Sequence, residues 1–212
     1  PLFERIQKLV AQGRWHIMGG WYLQPDCNMP SGESFVRQIL TGRRFFKKWF
    51  NTEPRTAINF DSFGHSRGLV QIMIKSGYHS YLFGRPRSWE MELPDSEVIW
   101  VGFDGSEIMA NRFRGWYHTP LGKARSVTEE RIPELADKAF GVLLWGVGNH
   151  GGGVSRHDLD DMNALIAERD DIKLMHSTPE AYFDQLAQYK RNLPRWRQDF
   201  NPWATGCYTS QI

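Results

Sequence analysis

Apolar positions recur along this chain at two spacings, and the changes between them divide it into helices and strands. Phe3, Ile6, Leu9 and Val10 share one helical face over residues 2–12, with Gly13 as the stop. Residues 15–22 then read as a strand ending near Gln24-Pro25-Asp26. Ser31 can cap the next helix, with Glu33 in its first turn and Phe35, Val36, Ile39, Leu40, Phe46 and Trp49 as its core face. Residues 57–60 form a short buried strand, followed by Leu69, Val70, Met73 and Ile74 at helical spacing and Gly77 as the stop. Further strands are predicted at 80–83, 98–103, 142–147 and 172–175. Helices are predicted at 132–139, after Ser155 and Asp158 as a capping box, and after Thr178 with Pro179 as first helical residue. Residues 108–123 show no period and read as a long loop, a kind of segment that usually has a function. Strand and helix alternate throughout, which predicts an α/β fold with a mostly parallel sheet. Six strands fit an open sheet or a barrel that lacks a piece, since a full eightfold barrel takes about 250 residues.

Composition narrows this only a little. Of 212 residues, 41% are hydrophobic and 24% charged, the balance of an ordinary globular chain. Nine Trp and thirteen Phe tilt slightly toward a sugar-binding surface. The net charge of +2 is mixed along the chain, and the basic cluster Arg37, Arg43, Arg44, Lys47 and Lys48 reads as the solvated face of a helix rather than a nucleic-acid site. Cys27 and Cys207 have no paired spacing, which argues for a reducing, cytoplasmic setting and against a disulfide framework or a thiolate zinc site. No apolar run approaches the roughly 20 residues that span a membrane. The opening Pro1-Leu2-Phe3-Glu4-Arg5-Ile6 lacks signal-peptide features and reads as a start inside a helix, as in an excised piece of a larger protein.

The candidate chemistry sits at strand ends. Asp61 follows the 57–60 strand and precedes the turn at Gly64, where barrel enzymes place catalytic carboxylates. Its alternative role is to cap the next helix, with His65 packed beneath. Asp26 lies past another strand end, where a turn aspartate after Pro25 serves equally well. Arg85 follows the 80–83 strand, and Asp104 lies in the turn after 98–103. The run Gly148-Asn149-His150-Gly151-Gly152-Gly153 matches neither the dinucleotide fingerprint nor the P-loop, so its glycines serve a close backbone approach to a ligand or simply a turn.

Several motifs together resemble one family. Gly19-Gly20-Trp21, Gln24-Pro25-Asp26 and Pro30-Ser31-Gly32-Glu33-Ser34 are similar to segments of glycoside hydrolase family 38, the retaining α-mannosidases. Asp61-Ser62-Phe63-Gly64-His65-Ser66 resembles its nucleophile motif, the 148–153 loop its glycine-rich loop, and Gly206-Cys207-Tyr208-Thr209-Ser210 a later segment. The likeness runs over essentially the whole chain and is nearest to the bacterial and cytosolic branch.

The resemblance implies a seven-stranded α/β barrel with one divalent metal, zinc being the expected ion, held by two Asp and two His. Residues 1–212 would be the central portion of a single catalytic barrel domain, truncated at both ends, with one strand upstream. Asp61 would be both nucleophile and metal ligand. Phe63 would lie against the sugar and Arg85 would reach the cleft, with Trp21, Asp26 and Asn149 as further substrate contacts. The other three metal ligands are expected outside this chain, so the piece alone should hold metal weakly and have negligible activity. Asn149 stands where many relatives carry Asp, and Asn cannot act as a carboxylic acid. The general acid/base is therefore open between His150 and Asp104. An α-mannose-containing oligosaccharide is the implied partner, with no nucleic acid or membrane, and a homo-oligomeric parent is left open. A metal-dependent carbohydrate deacetylase and a non-catalytic carbohydrate-binding fragment are the competing readings. Against the deacetylase, no pair of histidines stands at i, i+4 spacing.

Overall fold

The computed structural model describes residues 1–135, 138–148, 152–201 and 204–208. The chain divides into two compact units, Pro1–Arg112 with Thr178–Ile212, and Phe113–Ser177.

The first unit is built on a five-stranded sheet: β1 (Thr56–Asn59), β2 (Ser80–Phe83), β3 (Glu97–Val101), β4 (Glu107–Arg112) and β5 (Arg195–Trp196), in the order β1-β2-β4-β3-β5. β1, β2 and β4 run parallel, β3 is antiparallel to β4, and β5 is parallel to β3. Every residue of β2 and β3 is buried, which is why after Ser80 and Glu97 they read as unbroken apolar runs rather than alternating ones. The core gathers Phe35 and Ile39 of α2 (Gly32–Phe50), Val70 and Met73 of α3 (Leu69–Lys75), and Tyr81, Phe83, Trp100 and Phe200. α1 (Leu2–Ala11) lies along α2, with Phe3 edge-on to Trp49 at 5.3 Å between ring centres. α2 starts as expected, with Ser31 Oγ accepting from the Ser34 amide. α6 (Pro179–Leu186) is capped by Thr178 and tied to the sheet through Tyr182, whose hydroxyl donates to buried Glu97 at 2.8 Å.

Three expectations fail within this unit, each for a local reason. Residues 15–22 form no strand: Gly19 and Gly20 have φ of 85° and 72°, outside the β region. They let the chain lie against α2 at Gly42, where a Cβ would stand 2.7 Å from Gly20 O and Tyr22 N. The strand expected at 98–103 ends at Val101, because Gly102 opens a tight turn closed by Gly102 N–H···Ser106 O at 2.8 Å. The aperiodic 108–123 stretch begins with β4. Asn111 and Arg112 disguised that strand, yet both are buried with partners: Asn111 donates to Glu97 at 3.1 Å and Arg112 to Met91 O at 2.6 Å.

The second unit is helical. α4 (Ala124–Arg131) ends just before Pro133, and Ile132–Leu135 continues only as a 3₁₀ turn, so the expected 132–139 helix is displaced toward the N-terminus. A proline ring tolerates helix only in the first turn. α5 (Arg156–Glu168) is capped as expected, Ser155 Oγ accepting from the Asp158 amide at 2.9 Å. Asp158 is fully buried and accepts from the Ala124 amide, joining the starts of α4 and α5. Residues 142–147 and 172–175 join no ladder among the described residues. Their apolar side chains are spent otherwise: Trp145 and Leu174 pack on Ala124, Met162 and Leu165. No helix among the described residues is long and apolar enough to cross a membrane.

Candidate active site

Asn59 and Phe83 are register partners at the C-terminal ends of β1 and β2, and the chain leaves both strands toward the same side. Two residues further on, Arg85 Nε donates to Asp61 Oδ1 at 2.5 Å. The Arg85 guanidinium also lies over the Phe63 ring, 5.4 Å from its centre. Asp61, Phe63 and Arg85, singled out separately in the sequence, thus form one cluster. Asp61 is 43% exposed and Arg85 16%, so the carboxylate faces outward on a largely buried cation. Among the described residues Oδ2 of Asp61 takes no hydrogen bond, which leaves one carboxylate oxygen for a ligand. Asp61 is not a helix cap: α3 starts at Leu69 after Gly68, without any side-chain cap.

Both loops are held firmly. His65 exchanges backbone hydrogen bonds with Phe200 at 3.2 and 2.9 Å, and Asn28 reaches Asn201 at 3.0 Å. Gly64 lies between them, where a Cβ would be 2.4 Å from Asn201 Oδ1. On the β2 side, Arg112 Nη1 donates to the carbonyls of Pro86 and Met91 and fixes the chain beyond Arg85.

Beneath the cluster runs a buried polar chain that sequence reasoning did not assemble. His65 Nε2 lies 2.7 Å from Arg85 O, and Nδ1 lies 2.6 Å from the Tyr81 hydroxyl. Tyr81 Oη meets Cys27 Sγ at 3.8 Å, and Asn59 Nδ2 donates to that sulfur at 2.7 Å. Ser62 Oγ lies within bonding distance of Asn59 Oδ1 and Pro25 O. Burial pushes the His65 imidazole down to about 4 and the Cys27 thiol up to about 12, so both are neutral at pH 7. The sequence held one signal of this, the reading of His65 as packed under Asp61. The inward-facing Tyr81 was indistinguishable from any core tyrosine.

Other expected residues lie elsewhere. Trp21 is 6% exposed and donates from Nε1 to Ile58 O at 3.0 Å, so its indole is core and presents no face to a sugar. Asp26 makes a turn, Oδ1 accepting from the amides of Asn28 and Met29 at 2.8 and 2.9 Å. Asp104 follows β3, which is antiparallel to β4, so its turn lies where β4 begins and Asp61 lies beyond the strand ends aligned with the close of β4. There the Lys75 ammonium, 2.9 Å away, holds the Asp104 carboxyl at about 2. A carboxyl kept ionised at the other end of the strands is a poor proton donor for Asp61 chemistry. Asn149 and His150 lie outside the described residues.

For a metal, the described residues bring together no group of three or more His, Cys, Asp or Glu. Asp61 is the one expected ligand among them, and its Oδ1 is already on Arg85. The described residues thus supply one of the four expected ligands and form no metal centre by themselves.

The cluster thus lies beyond the C-terminal strand ends of a mostly parallel α/β sheet, the side on which α/β enzymes carry their sites. The chain belongs to the glycosyl hydrolases family 38, N-terminal domain, whose model matches residues 1–206. It is 31% identical to "Alpha-mannosidase G" of Dictyostelium discoideum over 99% of this chain and 20% of that protein. To "Alpha-mannosidase" of Saccharomyces cerevisiae it is 28% identical, over 95% of this chain and 20% of that protein. A solved alpha-mannosidase from Enterococcus faecalis superposes with a TM-score of 0.76 at 22% identity, over 93% of this chain and 23% of that one, a likeness of fold. The chain spans about a fifth of the length of the curated relatives it matches.

Proposed function

We propose that this chain carries the nucleophile of a retaining α-mannosidase acting on mannose-containing glycans, with Asp61 in that role. The observation that supports it is the contact of Asp61 Oδ1 with Arg85, which orients the carboxylate and leaves Oδ2 for the anomeric carbon. In such a reaction Asp61 displaces the leaving oxygen, which takes a proton from the acid/base, and a glycosyl ester forms. Water, deprotonated by the same acid/base, then cleaves the ester, releasing mannose and restoring the carboxylate. Arg85 would hold the carboxylate against rotation, and Phe63 would back the guanidinium and offer apolar contact to the sugar. Of the two expected acid/base candidates, His150 and Asp104, the latter is engaged by Lys75.

The reading includes a seven-stranded barrel and one divalent metal, zinc being the expected ion. Asp61 would be one ligand, with the others supplied by polypeptide beyond the described residues. The test is Asp61→Asn in the full-length protein with an activated aryl α-mannoside. Turnover should fall by about 10⁴–10⁶-fold, the range over which losing one member of a catalytic unit acts. Unchanged turnover would rule the assignment out.

A further inference from the structure

His65 is fully buried between the two loops that carry Asp61 and Arg85. Its ring nitrogens have fixed roles. The carbonyl of Arg85 can only accept, so Nε2, 2.7 Å away, carries the hydrogen. Nδ1 of the neutral ring is then an acceptor, and the Tyr81 hydroxyl donates to it at 2.6 Å. The Cys27 thiol lies 3.8 Å from both Tyr81 Oη and the Pro25 carbonyl, the two acceptors its one hydrogen can reach. This one tautomer satisfies both contacts of the ring.

The chain connections give this meaning. Tyr81 lies on β2, four residues before Arg85, and its ring stacks on Phe83 at 5.7 Å and on Trp100 at 5.6 Å. His65 lies on the same loop as Asp61, four residues on, and its main chain is bonded both ways to Phe200. The imidazole therefore couples the Asp61 loop to the main chain of Arg85 at the residue whose guanidinium meets Asp61. That bond holds the peptide following Arg85 from the Asp61 side, as Arg112 holds Pro86 from the β4 side.

We propose that His65 is a positioning residue: its Nε2–H clamps the Arg85 carbonyl so that the guanidinium meets Asp61, and Tyr81 selects the tautomer that makes the clamp. The catalytic consequence rests on the reading of Asp61 as nucleophile. A displacement of about 1 Å at a reacting group can cost on the order of a hundredfold in rate.

Two substitutions separate the clamp from mere filling of the core. Gln places an amide N–H where Nε2–H was and can still reach Arg85 O. Asn places an oxygen where Nδ1 was, can still accept from Tyr81, and falls short of Arg85. In the full-length protein, His65→Asn should turn over an activated aryl α-mannoside at least about tenfold more slowly than His65→Gln, with KM within about threefold. Crystal structures should show Arg85 on Asp61 in His65→Gln and displaced in His65→Asn. Equal kcat in two folded variants, or an undisturbed Arg85–Asp61 contact in His65→Asn, overturns the proposal. If neither variant folds, Tyr81→Phe decides, since it keeps the ring and removes only the hydroxyl. A lengthened His65–Arg85 contact in its crystal structure supports the clamp with tautomer selection, and an unchanged one overturns it. The crystallographic readout does not depend on turnover. If Asp61→Asn leaves activity intact, the assignment of the nucleophile fails while the clamp is still decided.

Discussion

Asp61 and Arg85 each stand two residues past a register pair, Asn59 and Phe83, and meet at 2.5 Å across the ends of neighbouring parallel strands. Parallel neighbours end on the same side, so their following loops are delivered to one place. The sheet delivers the two loops to one place, and contacts within the loops then set the side chains against each other.

Arg85 should accordingly be sensitive even to a conservative change. A lysine keeps the charge but loses the planar fork that meets Oδ1 while lying over Phe63. Arg85→Met should lower kcat by about 10²–10³-fold, the scale of losing one oriented donor at a charged site. Arg85→Lys should recover only part of that loss. Steady-state kinetics on an aryl α-mannoside is the measurement, and full activity in Arg85→Lys would show that charge alone suffices.

Gly42 offers a test in which two effects oppose each other. It lies inside α2, where alanine gains about 1 kcal/mol in helix propensity. Yet a Cβ there would stand 2.7 Å from three backbone atoms of residues 20–22, none of which is a movable side chain. The clash should win, with Gly42→Ala destabilising by about 1–3 kcal/mol in chemical denaturation. Gly64→Ala should cost less, because the nearest atoms there are the movable side-chain ends of Asn201 and Asn28, and should lower activity because its loop carries Asp61. A stabilised Gly42→Ala protein would mean the 20–22 segment does not rest on α2.

These positions also show what the sequence could reveal. The 57–66 stretch was legible because strand, turn and helix are signalled locally by apolar runs and Gly64. The helix starts at Ser31, Ser155 and Thr178 were legible for the same reason, since a cap bonds within three residues. β4 was not, because Asn111 and Arg112 look like loop residues until Glu97, Tyr182 and Met91 are in place around them. Trp21 could have been a sugar platform or core, and only the nearness of Ile58 O decides it. The His65–Tyr81 contact spans two strand-loop segments, and its geometry exists only once β1 and β2 are paired.

The two cysteines should differ sharply in reactivity. Cys27 is buried, and its thiol, pushed up to about 12, stays protonated at pH 8, while Cys207 is exposed. Alkylating agents attack thiolate. Iodoacetamide on the folded protein should label Cys207 within minutes and spare Cys27 until denaturant is added, as peptide mass spectrometry would read directly. Equal labelling would mean the Cys27–Tyr81–His65 chain is open to solvent.

His65 should make stability depend on pH in a defined window. Its folded value is about 4 because burial disfavours the cation, against an ordinary 6.5. Between those values the unfolded chain binds a proton that the folded chain refuses, so stability rises with pH across the window. The contribution is fully present above pH 6.5 and is lost as pH falls toward 4. A 2.5-unit displacement (6.5 − 4) is worth about 3 kcal/mol. Carboxylates titrate in the same range, so the comparison must be with His65→Gln, which lacks this proton but keeps the others. Between pH 7 and pH 4 the wild-type protein should lose about 3 kcal/mol more than the variant in urea denaturation. Parallel losses would show that His65 is charged in the fold, and with both ring nitrogens then donors, Tyr81 could no longer give its hydrogen to Nδ1.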